Sequence, residues 1–333
     1  MAIQWYPGHM HKAQKEIKEV LPQVDLLIEV LDARIPFSSE NPAIAALRGD
    51  KPCIKVLSKT DLADPKTTAL WQTYLEQEKG VKTLAITTEQ PGKMKSLLDL
   101  CRKMLPEKDA SVKAINTMIV GIPNVGKSTL INTLAERTIA KTGNEPAVTK
   151  SQQRINLGSG IMLLDTPGIL WPKVENPKSS YRLAATGAIK DTAMEYDDVG
   201  FFTAEFLIQA YPDLLKQRFD LEQIPDTELE FLELAAARRG ALSAGGRVNL
   251  HKICEVLINE FRSGTLGAIT LETPAMIDVE KQEIAEAAAK KEAENAERKR
   301  RFKAGTRDSS ADTEDAPKKR RNNRNKSGSK KRR

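Results

Sequence analysis

A chain of 333 residues is long enough for about two domains, and it holds no apolar run of the length a bilayer span requires. Cys53, Cys101 and Cys254 stand apart in apolar settings, which excludes a disulfide framework or a cysteine metal site and marks them as reduced core residues of a cytoplasmic protein. The formal charge of +7 belongs to one end: residues 318–333 hold ten Lys or Arg and no acid, and without them 42 basic residues face 45 acidic ones.

In chain order, strands are expected at Val24–Leu31 and Ile54–Leu57, with helical segments around Pro42–Leu47 and Lys66–Glu78. The second strand runs into Ser58-Lys59-Thr60-Asp61, so Lys59 and Asp61 fall at its carboxyl end, where ligands bind in open α/β sheets. A carboxylate two residues after a lysine suits guanine. Asp61 would accept from N1–H and the 2-amino group while the Lys59 stem covers the ring face. Adenine lacks that donor pair and would leave Asp61 unpaired, at a cost of about 1–3 kcal/mol. Taken alone, the tetrapeptide is equally well a solvated turn.

A third strand over Lys82–Thr87 and a helix over Met94–Met104 lead to a fourth strand, Ile115–Val120. Gly121-Ile122-Pro123-Asn124-Val125-Gly126-Lys127-Ser128 follows it and fits G-x-x-x-x-G-K-[ST], with a helical stretch from Ser128 to about Glu136 behind. Strand, loop and helix in that order are what a phosphate-binding loop requires. Its glycines let successive N–H groups point at one anion. Lys127 adds a cation for the β- and γ-phosphates, and the Ser128 hydroxyl can take a place on Mg²⁺. The candidate phosphate-binding residues are Asn124, Val125, Gly126, Lys127, Ser128 and Thr129. The chain therefore reads as a binder of a nucleoside triphosphate, and the loop turns Ser58–Asp61 into a guanine motif resembling N-K-x-D, with Ser58 where Asn is usual. The shorter side chain is expected to weaken the loop-tying contacts.

Two further strands, Ser151–Leu157 and Ile161–Leu164, complete the sheet. The last delivers Asp165 of Asp165-Thr166-Pro167-Gly168 to the Mg²⁺ region, and Gly168 lets an N–H approach the γ-phosphate. Thr149 lies between the P-loop helix and that strand, and is the candidate switch threonine for Mg²⁺ and γ-phosphate. The alternation of strands and helices predicts an α/β fold with a doubly wound, mostly parallel six-stranded sheet. Because the guanine motif precedes the P-loop, the domain is a circular permutation of the ordinary GTPase order; termini that lie close together allow such a rewiring. Whatever follows Gly168 is thereby tethered to the γ-phosphate-sensing loop.

Beyond about residue 180 the apolar spacing turns helical, through Phe201, Phe202, Phe206, Leu207 and Ile208, then Leu229–Leu234, then Val248–Phe261. Asp278–Lys303 is rich in Ala, Glu, Lys and Arg and predicts a solvated helix. Gly305–Arg333 lacks aliphatic and aromatic residues and is expected to be disordered, a polycation suited to phosphate backbones. The predicted boundaries are a GTPase domain over 1–175, a helical domain over 176–277 and a charged extension over 278–333.

The permuted order, together with Trp5-Tyr6-Pro7-Gly8-His9-Met10, Asp32-Ala33-Arg34-Ile35-Pro36 and Asn41-Pro42, closely resembles the ribosome biogenesis GTPase A family over about residues 1–275. The resemblance implies a cytoplasmic GTPase, monomeric off the ribosome, acting in late assembly of the large ribosomal subunit. It implies that the helical domain binds RNA and that the ribosomal particle stimulates hydrolysis. Lys190, Arg238, Arg239, Arg247 and Lys252 are then candidate rRNA contacts, solvated helix faces being the plainer reading.

Ile169 stands where an ordinary GTPase has a water-orienting Gln, and the resemblance nominates His9 for that task. His11 and His251 read as packing residues. An Asn at position 124 looks like a K⁺ ligand in related P-loops, a turn residue capping the next helix being equally compatible with the spacing. Ala147 replaces a usual Gly, and Thr87 and Thr88 occupy the place of the Ser-Ala pair that backs the guanine. Trp5, Tyr6, Arg34 and Asn41 match family motifs with packing or loop bracing as their default role. Two other functions are compatible with the chain: an RNA chaperone with GTP as a structural ligand, and a GTPase of tRNA modification, the latter disfavoured by the lack of a visible modification domain.

Overall fold

The computed structural model describes residues 9–108, 113–136, 153–168, 170–171, 174, 176–243 and 245–311, with side chains between 15 and 298. Trp5, Tyr6, Ala147, Thr149, Ile169 and residues 312–333 lie outside the described residues, as do the side chains of His9 and His11.

Six strands form one sheet: β1 (Leu26–Asp32), β2 (Cys53–Ser58), β3 (Val81–Ala85), β4 (Ile115–Gly121), β5 (Gln153–Asn156) and β6 (Ile161–Asp165). Their order is β3-β2-β1-β4-β6-β5, and every pair is parallel except β5–β6. Each strand falls within two residues of its expected start, because apolar runs bounded by Pro, Gly and polar turns leave little choice of register. β1 is buried along its whole length, as a central parallel strand covered on both faces must be.

Helices α1 (His9–Val20), α2 (Pro36–Ser39), α3 (Pro42–Arg48), α4 (Pro65–Leu75), α5 (Pro91–Met104) and α6 (Lys127–Leu134) intervene. Prolines open α3, α4 and α5, where a missing N–H costs nothing. Asn41 and Asp64 cap α3 and α4 by accepting from the Ala43 and Lys66 amides at 3.0 and 2.9 Å. Asn41 is thus a loop brace, and Glu29 Oε1 accepts its backbone N–H at 3.1 Å. The sequence reading missed α1, whose run of Lys, Glu and Gln carries a weak apolar stripe with Ile17 as its most deeply buried described residue.

After β6 come α7 (Pro177–Ala185), α8 (Tyr196–Ala210), α9 (Pro212–Phe219), α10 (Glu228–Arg239) and α11 (Leu250–Ser263), which share one continuous core with the sheet. The described residues up to Lys281 form a single compact unit. α11 buries Ile253, Cys254, Leu257, Ile258 and Phe261 on one face. Phe219 meets Phe231 edge-on at 5.4 Å. All three cysteines are free and buried, as expected.

A buried ionic cluster fastens the end of this unit. Arg182 forms a two-pronged contact with Glu280 at 2.9 and 2.6 Å, and Glu272 accepts the Ser38 amide and hydroxyl at 2.9 and 2.5 Å. Glu272 and Glu280 flank the start of α12 (Pro274–Ala311). Within the second unit, from Gln282 onward, the described side chains of α12 are mostly exposed, matching the expected solvated helix. One boundary needs correction. The helix continues through Gly305 to Ala311, so an unstructured tail does not begin at Gly305; a single glycine costs a helix only about 1 kcal/mol and need not stop it.

Gly200 of α8 faces Cys254 of α11 so closely that an added Cβ would lie 2.5 Å from Cys254 Cβ and 2.6 Å from Sγ. Gly200→Ala should therefore destabilise the protein by about 1–3 kcal/mol in urea unfolding, the overpacking outweighing any gain in helix propensity.

Candidate functional site

The two halves of the sheet diverge between β1 and β4. From β1 the chain moves outward to β2 and β3, and from β4 it crosses the other way to the edge strand β5 and returns to β6 beside β4. A crevice at the carboxyl ends of the strands opens at such a switch point. Ser58, Gly121 and Asp165 end β2, β4 and β6 there, and Thr87 follows β3.

The loop after β4 has the backbone of an anion cradle. Asn124 and Gly126 are left-handed, at φ 58° and 97°, and Gly126 caps α6 without a side-chain bond. The first amides of α6, those of Lys127, Ser128 and Thr129, are thus left for a ligand at the positive end of the helix. Gly121 is required by a close approach, since a Cβ there would sit 2.7 Å from the Val30 carbonyl of β1. Val125 is buried beneath the loop, and Ser128 and Thr129 are half-buried at its rim. The Asn124 side chain reaches across the crevice, its Nδ2 donating to the Gly187 carbonyl at 2.8 Å.

Lys127 and Asp165 are both buried. Burial lowers the Lys127 pKa against the pull of Asp165, and burial raises that of Asp165 against Lys127 and the Thr166 amide. Neither Asp165 oxygen has a hydrogen-bond partner of normal geometry among the described residues. A buried carboxylate so placed beside the P-loop fits a hard divalent cation such as Mg²⁺, whose oxygen ligands would include Asp165 and Ser128. Gly168 belongs to the same neighbourhood, because a Cβ there would lie 3.1 Å from the backbone of Pro123.

On the β2 side, the Ser58 hydroxyl lies 2.6 Å from the Val125 carbonyl and 2.9 Å from that of Leu31. Its one proton reaches either, so the loop-tying role expected to be weakened by the Asn-to-Ser difference is present, tying the base loop to the P-loop. Thr60 ties the base loop to the β3 end instead: its amide and hydroxyl donate to the Ile86 carbonyl at 3.2 and 3.0 Å. Thr87 is buried and accepts from the Glu89 amide at 3.3 Å, whereas Thr88 and Asp61 are exposed. Lys59 is left-handed, at φ 56°, and its ammonium donates to Asp32 Oδ2 at 2.9 Å.

Sequence reasoning gave Asp32 no role and Arg34 only that of a brace. Both are buried in this crevice, and a position at the end of the strand beside the switch point was the signal available for them. A cavity of about 700 Å³ separates these loops from the helical layer, bounded by Lys59, Asn124, Gly187, Lys190 and Arg262. Of the basic residues considered for RNA, Arg239 is paired with Glu260 at 2.6 Å and Arg238 with Asp220 at 3.5 Å, while Lys190, Arg247 and Lys252 are exposed. No helix among the described residues is long and apolar enough to cross a membrane.

Residues 116–217 match the family profile of a 50S ribosome-binding GTPase. The chain is 45% identical over 281 residues to ribosome biogenesis GTPase A of Bacillus pumilus, covering 82% of this chain and 99% of the relative. It is similar in structure to YlqF from T. maritima in its GNP-bound form (TM-score 0.54, 28% identity, 79% of this chain and 98% of the other). The GDP-bound form of YlqF gives a TM-score of 0.56 at 27% identity, with 78% and 99% covered. Sheet order, P-loop and motif sequence together define a circularly permuted P-loop GTPase, an enzyme that hydrolyses GTP. The chain belongs to the ribosome biogenesis GTPase A family.

Ser58→Ala removes the proton that joins the base loop to Val125. GDP affinity measured by calorimetry should fall about three- to tenfold, the worth of one net hydrogen bond.

Proposed function

We propose that this GTPase acts in late maturation of the large ribosomal subunit, binding its precursor and rRNA in the GTP state and leaving after hydrolysis that the particle stimulates. The observation that carries the reading is the convergence of P-loop, base loop and Asp165 loop on one crevice whose far wall is the helical layer. Anything that presses on that layer presses on the nucleotide. The names of the relatives supply the ribosome as the partner. The exposed Lys190, Arg247 and Lys252 are compatible with an RNA contact.

In this reading Asp61 reads the guanine edge, the Lys59 stem covers the ring, Ser58 and Thr60 hold the base loop, and Thr87 and Thr88 back the base. Asn124 to Thr129 cradle the phosphates and Lys127 neutralises charge on the departing γ-phosphoryl group. Ser128, Asp165 and Thr149 would hold Mg²⁺, which supplies charge neutralisation on the β- and γ-oxygens. Gly168 senses the γ-phosphate. His9 orients the attacking water in the role that Ile169 cannot fill, and Asn124 contributes to a K⁺ site. The enzyme works in the cytoplasm as a monomer until it meets the particle.

Single-turnover GTP hydrolysis with and without large-subunit particles tests the proposal. The particle should accelerate turnover at least about tenfold, and His9→Ala should remove about 10²-fold of the stimulated rate while GTP affinity stays within twofold. Absence of stimulation would favour the RNA-chaperone alternative. Replacing K⁺ by Na⁺ should slow hydrolysis, and equal rates would remove Asn124 from an ion site. Chelating Mg²⁺ should abolish turnover.

A further inference from the structure

Asp32 is buried at the end of β1 and belongs to none of the phosphate or base motifs. Its two oxygens are shared among four donors: the Arg34 backbone N–H and Nε reach Oδ1 at 3.1 and 2.9 Å, Arg34 Nη2 reaches Oδ2 at 2.8 Å, and Lys59 Nζ reaches Oδ2 at 2.9 Å. Burial pushes the carboxyl pKa up, but the two cations outweigh it and hold Asp32 well below the usual range. Lys59 has need of an anchor. Its left-handed backbone is a strained choice for a residue with a Cβ, and its long side chain has rotamers to lose.

Arg34 carries the contact away from the pocket. Its Nη1 and Nη2 approach the carbonyls of Arg262 and Thr186, each at 3.5 Å, and its guanidinium lies 5.2 Å from the centre of the Phe261 ring. Those carbonyls lie at the ends of α11 and α7. Helix carboxyl ends carry the negative pole of the macrodipole, so the buried cation is held between two of them and Asp32. Arg262 locks the same two ends together by donating to Ala184 and Ala185 at 2.8 and 3.0 Å. The Asn124–Gly187 bond brings the P-loop to the same turn.

We propose that Asp32 is a positioning residue for the guanine-covering Lys59, and that the Asp32–Arg34 pair carries occupancy of the base pocket to the joined ends of α7 and α11. This rests on the reading in which Lys59 and Asp61 hold guanine. An ion pair serving stability alone would share the same burial, but it would not make the effects of changing Asp32 and Lys59 depend on one another.

Calorimetry of GDP binding to the full chain tests the inference with Asp32→Asn, Lys59→Met and the double variant. Each single change should weaken binding about tenfold, and the double variant should be no more than about twofold weaker than the worse single, since both remove one shared contact. Losses that multiply would overturn the positioning role. An unaltered affinity in Lys59→Met would instead overturn the base-site reading beneath it. If Asp32→Asn does not fold, hydrogen exchange decides with the remaining chains. Saturating GDP should slow exchange of the Thr186, Gly187 and Gly264 amides in the parent protein. In Lys59→Met at saturating GDP that protection should be lost, while protection of the P-loop amides persists. Equal protection at Thr186 and Gly187 in both chains, or none in the parent, would overturn the coupling.

Discussion

The pairing of β1 with β4, Leu26–Val30 alongside Thr117–Gly121, joins the half of the chain that reads the base to the half that grips the phosphates. Parallel hydrogen bonding fixes the register, and a slip of one residue would turn every side chain of β1 to the opposite layer. The contact leaves no slack: the Val30 carbonyl lies where a Cβ of Gly121 would need to be. With β1 and β4 held so closely, the loops after β2, β4 and β6 have one crevice to share. The permuted chain thus retains the GTPase site although its connections are rewired, because the site depends on which strands are neighbours and not on the order in which they are made.

The crevice is built from buried charges that water would otherwise solvate. A buried ion is tolerated when geometry supplies partners for it. Asp32, Arg34 and Lys59 supply them for one another. Lys127 and Asp165 are less complete, with burial working against the charged form of each. Pre-organised charge awaiting a polyphosphate and its cation is what phosphoryl transfer asks of a protein, since little covalent chemistry falls to the side chains. Two neighbouring clusters therefore divide the work, one whose charges are paired with one another, the other left to be satisfied by the ligand.

The permutation also explains why the helical layer reaches the site. In this connectivity the next helix after the strand bearing Asp165 is α7, which starts at Pro177 and whose end touches both Asn124 and Arg34 through Gly187 and Thr186. The Asp165 strand and the helix whose end meets Arg34 are thus successive elements of the chain.

Strands, the P-loop, the base loop and their inverted order were legible in the sequence, because they follow from short-range periodicity and from residues with a single geometric use. The helical character of the segment after residue 180 was legible for the same reason. Residues such as Ser58 were legible in position but not in strength: nothing local shows that a hydroxyl could reach Val125, which is 67 residues away. The roles proposed for Asp32 and Arg34, and the contact of Asn124 with Gly187, came only from tertiary structure. Arg34 meets carbonyls 152 and 228 residues distant, and Asn124 meets one 63 residues distant. Local pattern records which face of an element is buried. Which helix end comes to rest against a buried guanidinium is decided when the layers pack, by the requirement that each buried charge find its partners.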